Sequence, residues 1–165
     1  MGSRLAIAFV LSLALLGAAP GPRSGSAQGE HPPPLVVIVA KGEAVRGLSL
    51  SELRSIFEGN STQYARGRYF IPINQPAGSP LRERFDRIVL GRDPDEAGRF
   101  WVDRRIRTGQ EPPRTLPTED LAARVVASLP GAITYVPADL VPPGVATIAI
   151  DGKLPGASGY LLSRF

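Results

Sequence analysis

Cysteine is missing from all 165 residues. That absence excludes a disulfide framework, a thiol nucleophile, a Cys-ligated metal and a lipidated cysteine anchor. Histidine occurs once, as His31 in a proline-rich stretch, so no serine or cysteine triad can be assembled around an imidazole. Lysine is scarce, with only Lys41 and Lys153, and the net charge of +4 comes from arginines interspersed with Asp and Glu. Such mixing describes a solvated surface, and nucleic-acid binding, which calls for clustered cations and interleaved aromatics, is excluded. Phosphate loops, dinucleotide fingerprints and metal-ligand spacings are also missing, which leaves no implied cofactor.

Long hydrophobic runs are absent except at the start. Arg4 precedes a twelve-residue apolar run from Leu5 to Leu16, followed by small residues as far as Gly25, Ser26 and Ala27. About 20 apolar residues are needed to cross ~30 Å of hydrocarbon. The pattern therefore predicts a secretory signal peptide over 1–27, cleaved after Ala27, with an uncleaved anchor as the alternative. A periplasmic or secreted protein without a membrane span after cleavage is the expectation. Residues 28–34 form a Pro-rich tether, and residues 35–165 are expected to be a single domain.

Within that domain the apolar run Leu35 to Ala40 has the pattern of a strand buried on both faces, as in a parallel sheet. Ser49 and Glu52 have capping-box spacing, with Leu50, Leu53, Ile56 and Phe57 on one helical face and Gly59 as the stop. Arg68 to Asn74 alternates as a strand, and Pro72 points to a sheet edge or a strand end. Ser79 and Pro80 open a second helix with Leu81, Phe85, Ile88 and Val89 on one side, ended by Gly91. Asp93 and Pro94 start a third, which Phe100 and Trp101 are expected to anchor in the core, and a fourth runs from Thr118 to Leu129. Strands over Ala132 to Val136 and Val145 to Ile150 complete an α/β fold of about four strands and four helices in three layers.

Several strings, in order, resemble one family. LSLSELRSIFEG (Leu48 to Gly59), the Gly78-Ser79 turn, PGAITYV (Pro130 to Val136), Ile150 to Gly152 and Gly159 to Arg164 are similar to segments of the phosphate-binding subunits of bacterial ABC importers, within the type II periplasmic-binding-protein fold. Short exported relatives of this type are similar even through Phe100-Trp101 and Thr108 to Pro113. The resemblance covers nearly all of 35–164 and implies a single α/β/α lobe where the longer proteins hold an anion between two.

It also implies a site at Gln75, Gly78, Ser79 and Arg82. At the position of Gln75 the longer proteins have an Arg; Ala77 stands in place of an Asp, Pro80 of a Gly and Leu81 of a Thr. A bidentate guanidinium grip is thereby replaced by an amide. The first turn of the helix after Ser79, with Arg82 or Arg84, is left as a weak oxyanion site; the favoured alternative is that Ser79 is only an N-cap and that both arginines are solvated. The expectation is a non-enzymatic solute-binding-like module with a degraded anion turn, and the alternative is an interaction or accessory module that has lost small-ligand binding. Implied partners are phosphate or another small oxyanion, an ABC permease or other envelope protein, and a second copy of the chain.

Carboxylate pairs such as Glu83 and Asp86, or Glu119 and Asp120, are read as helix-start and solvated residues rather than a hydrolytic or metal site. Asn60 to Thr62 has the spacing of a glycosylation acceptor and equally that of a turn. Tyr135 is a core aromatic by its setting, close to the implied cleft.

Overall fold

In the computed structural model, residues 32–60 and 62–163 are described. The signal-peptide expectation, His31 and the first part of the tether lie outside them. In chain order the elements are β1 (Leu35–Ala40), β2 (Gly47–Leu48), α1 (Leu50–Phe57), β3 (Gln63–Ala65), β4 (Arg68–Tyr69), β5 (Ile71–Asn74), α2 (Pro80–Phe85), α3 (Pro94–Thr108), β6 (Arg114–Thr115), α4 (Glu119–Ser128), β7 (Ala132–Pro137), β8 (Val145–Thr147) and β9 (Ala149–Ile150). Asp86–Leu90 continues α2 as a π-helical turn, and Gly91 ends it in the left-handed conformation at φ +67°.

A five-stranded sheet in the order β6-β5-β7-β1-β8 divides the core. On one face Leu35, Val37, Ile133 and Tyr135 pack with Leu53, Ile56 and Phe57 of α1 and Phe85 and Val89 of the α2 segment. On the other, Val36, Ile38, Ile73 and Val136 meet Ala122, Ala123 and Val126 of α4. The small alanines let α4 approach closely, and the alternation of odd and even residues along β1 follows from the strand's period of two. The result is the expected three-layer α/β/α arrangement. Each fully buried Leu, Ile or Phe contributes about 1.5–3 kcal/mol relative to exposure, so these two faces supply most of the stability.

Five expectations need correction. β1 pairs antiparallel with both β7 and β8, Leu35 standing opposite Pro137 and Ala40 opposite Val145. A strand covered by helices on one face and another layer on the other is wholly apolar whichever way its neighbours run, so the pattern does not encode direction. Of the two settings expected for Pro72 the sheet edge fails, since β5 lies between β6 and β7, parallel to each, while the strand end holds, Pro72 being the second residue of Ile71–Asn74. Pro72 is tolerated because β6 reaches only Ile73 and Asn74, leaving the proline's N–H-less side without a ladder to break.

The stretch Arg68 to Asn74 is two strands, since β4 folds back on β3 before β5 enters the sheet. Val145 to Ile150 divides similarly. β8 follows β1, Ile148 is buried in the core, and β9 then runs parallel to β2. Lastly, of the pair expected to anchor α3 only Trp101 is buried, and it lies apart from the two main clusters. Trp101 belongs to neither apolar cluster and packs beside Gly59, while half-buried Phe100 lies under the Arg92 guanidinium, 4.0 Å from its ring centre.

Helix starts form as their caps dictate. Ser49 Oγ accepts the Glu52 N–H while Glu52 Oε2 accepts the Ser49 N–H at 2.7 Å, and Asp93 and Glu96 repeat the exchange on α3. Thr118 Oγ1 caps α4 through the Leu121 N–H. Asp151, held at φ +48°, adds a long-range cap by accepting the Leu50 N–H at 2.9 Å. No helix among the described residues is long and apolar enough to cross a membrane.

Candidate ligand-binding site

β5 carries Asn74 and Gln75 to the foot of α2, and both side chains are buried. Asn74 Oδ1 accepts from the Gln75 N–H at 3.1 Å and from Tyr135 Oη at 2.6 Å. The Gln75 amide turns inward, its Nε2 donating to the Tyr135 carbonyl at 3.1 Å. Because a carbonyl can only accept, that bond settles the amide orientation and leaves Gln75 Oε1 buried with no partner among the described residues. At 0 % exposure, Gln75 presents no side-chain donor to a solute.

Gly78 adopts φ +79°, the left-handed region that glycine enters without a Cβ penalty, and turns the chain into Ser79. Ser79 Oγ accepts the Arg82 N–H at 3.3 Å, so the hydroxyl acts as the N-cap of α2. α2 itself spans six residues and begins at Pro80, which has no N–H to offer. Arg82 turns away from the helix start. Its Nε binds Asp86 Oδ2 at 2.6 Å, and its Nη1 donates to the Gln75 carbonyl at 3.4 Å.

Asp86 is 3 % exposed, and the helix-start, solvated reading of its pair with Glu83 is corrected here. Burial pushes its carboxyl above the usual aspartate range, against the pull of the Arg82 and Arg92 charges, and its Oδ1 lacks a partner among the described residues. Arg84 reaches neither Ser79 nor the turn. It donates to the Pro33 carbonyl at 2.7 Å and to the Leu162 carbonyl at 3.2 Å, tying the two ends of the described chain together. Tyr135 is a core residue, stacked on Phe85 and wholly buried, and burial raises its phenol well above the ordinary tyrosine range.

A cavity of about 460 Å³ opens beside the turn. Gln75, Pro76 and Ser79 form one wall, and Thr118, Glu119 and Asp120 at the start of α4 form the other. Two N-caps thus face a common space, yet two carboxylates stand at its rim and no Lys or Arg is among its described lining. Gln75 and Ser79 adjoin this cavity, whereas Gly78 and Arg82 line a neighbouring hollow on the α3 side. The four predicted residues are therefore brought together by one turn but divided between its two sides.

Asn74 and Asp86 were not singled out from the sequence as site residues. Asp86 had a usable signal in its i, i+4 spacing from Arg82. Asn74 had none, since its role depends on Tyr135 across 61 residues. Among the described residues no group of three or more His, Asp or Glu could hold a metal ion.

Comparison with solved structures returns phosphate receptors. An ABC-type phosphate transport receptor from Vibrio cholerae superposes with a TM-score of 0.59 at 15 % identity, over 74 % of this chain and 48 % of the receptor. A putative phosphate ABC transporter substrate-binding protein from Clostridium perfringens, solved with bound phosphate, gives 0.60 at 20 %, over 74 % and 47 %. PstS from Borrelia burgdorferi gives 0.60 at 11 %, over 79 % and 54 %. The likeness is one of fold. This chain spans about half the length of the receptors it matches. No family model matches the sequence, and no curated protein matches it.

Proposed function

We propose that this chain is an exported, non-enzymatic solute-binding-like module, one lobe of the phosphate-receptor fold, whose oxyanion turn retains only weak affinity. The observation that carries this reading is the Arg82–Asp86 ion pair at 2.6 Å, which engages the guanidinium that the resemblance offered to the turn. With Gln75 buried and Glu119 and Asp120 at the rim, the latter paired with Arg124 at 2.8 Å, an oxyanion entering the 460 Å³ cavity meets two capped helix starts and the like charge of Glu119. Few donors remain to replace its water, and desolvating a charge without them is costly. A periplasmic or secreted location and contact with an ABC permease accompany this reading.

Calorimetric titration of the purified chain with phosphate and sulfate tests it. Weak saturable heat in the millimolar range is expected. A sub-millimolar dissociation constant overturns the degraded turn, and no heat at all overturns the oxyanion assignment.

A second reading, that the lobe acts by docking a protein, has its own support. Val102 and Ile106, one turn apart on α3, are 61 % and 78 % exposed, and the chain spans half of the receptors it resembles. Exposed apolar side chains of this kind are common at partner sites. Sedimentation velocity on the parent chain and on Val102→Glu distinguishes self-association from a strict monomer.

A further inference from the structure

α3 runs for 15 residues, yet only Ala97 and Trp101 along it are buried. The side turned away from them carries two ridges at i, i+4 spacing. One holds Val102 and Ile106, both exposed. β-branched side chains are poorer helix formers than the lysines and glutamates usual on a solvated face, and here the single chain gains no burial from them.

The ridge beside it reads Asp95, Arg99, Asp103, Arg107, all exposed and alternating in sign along the helix. Asp95 and Arg99 have no ion-pair partner among the described residues, while Arg107 Nε meets Asp103 Oδ1 at 2.6 Å in a pair open to solvent. A guanidinium has five N–H donors, so Arg107 keeps most of its capacity for a second carboxylate.

The order of these charges selects what covers the face. Reversed end for end, a negative-positive series of this length becomes positive-negative. A second α3 laid antiparallel about a two-fold axis near the middle of the helix therefore sets Asp95 against Arg107 and Arg99 against Asp103, with the reciprocal pairs returned by symmetry. A parallel copy sets like against like. The same axis brings Val102 onto its own counterpart with Ile106 of each copy flanking it, and it opposes the two helix dipoles.

We propose that α3 is a dimerisation face and that its occupant is α3 of a second copy of this chain, running antiparallel. This names the partner for the docking reading above and rests on it. One helix from each copy makes a small contact, so the dimer is weak, with a dissociation constant of about 10–500 µM.

Sedimentation velocity of the full chain, from about 10 µM to about 1 mM, tests the pairing. A concentration-dependent shift from monomer to dimer is expected for the parent. Two double variants reverse half of the charged ridge without altering net charge: Asp95→Arg with Arg99→Asp, and Asp103→Arg with Arg107→Asp. Each alone places like charges opposite one another and should dimerise at least roughly tenfold more weakly. Mixed in equal amounts they are complementary again, and dimer should return, which a misfolded variant could not achieve. Ile106→Glu should abolish the dimer with an unchanged far-ultraviolet spectrum. Parent-like dimerisation of either double variant, or no recovery on mixing, overturns the antiparallel pairing. A strict monomer in the parent overturns the second copy as occupant and leaves docking of another protein standing, so the two readings fail separately.

Discussion

Phe85 and Tyr135 lie ring on ring, their centroids 3.7 Å apart and their planes 4° from parallel. The stack fastens the end of α2 to the middle of β7, and Phe57 closes on Phe85 at 4.7 Å. Because the turn at 75–79 enters α2, the stack also sets where that turn sits. Phe85→Ala is expected to cost about 3–5 kcal/mol through lost burial and a residual cavity. Urea unfolding monitored by circular dichroism measures it.

The capping box of α1 yields a pH-linked prediction. Hydrogen bonds from Ser49, to the carboxylate from its backbone and its hydroxyl, hold the Glu52 carboxyl below its ordinary value. A lowered folded-state value stabilises the protein above the ordinary glutamate range, and that stabilisation is lost as pH falls through the folded value. Ser49→Ala should cost about 1 kcal/mol at neutral pH. Thermal melts of parent and variant should converge on acidification.

For Asp86 the sign is the reverse. Its folded value is raised by burial, so the folded state holds a proton that the unfolded state has released, and stability declines as pH rises from the ordinary aspartate value through the raised one. Asp86→Asn should flatten that decline. Arg82→Met leaves the carboxylate buried and uncompensated, an expected loss of about 3–5 kcal/mol at neutral pH. The loss should shrink as the carboxyl protonates. Denaturant titrations across pH 3 to 8, taken as roughly the span in which a carboxylate titrates, separate the two variants.

Gly131 offers a prediction about close approach. It sits at φ +83°, and a Cβ there would lie 2.8 Å from the Tyr69 carbonyl oxygen, a backbone atom that cannot swing aside. Left-handed backbone alone costs a non-glycine residue about 1–2 kcal/mol. Gly131→Ala should therefore lose more than that, whereas Gly67→Ala, at φ +71° with nothing within 4 Å, should lose only the backbone part. Comparing their melting temperatures isolates the clash.

Local chemistry was legible in the sequence wherever it acts over one turn. Ser49 with Glu52, Ser79 with Pro80, Asp93 with Pro94, and Thr118 each cap the helix that their spacing implies. The three layers were legible too, because periodicity records which residues are covered. Strand direction was not, since Val36 and Val37 are buried alike beside parallel or antiparallel neighbours.

The candidate site was only partly readable, for a related reason. Gln75 and Ser79 could be found by position in the turn, but whether Gln75 faces solvent is settled by the Tyr135 carbonyl, 60 residues on. Arg82 had a visible i, i+4 partner in Asp86, yet burial of that pair depends on α3 and the loop beyond it, which no local pattern announces.

Among the described strands β1 is synthesised first, and both of its sheet neighbours follow it by about a hundred residues or more, with Leu35 facing Pro137 and Ala40 facing Val145. Most of the polypeptide must therefore be synthesised before the middle of the sheet can zip, and contacts so distant along the chain make for slow folding. A nascent product halted before Ala132 keeps β1 open along both ladder edges.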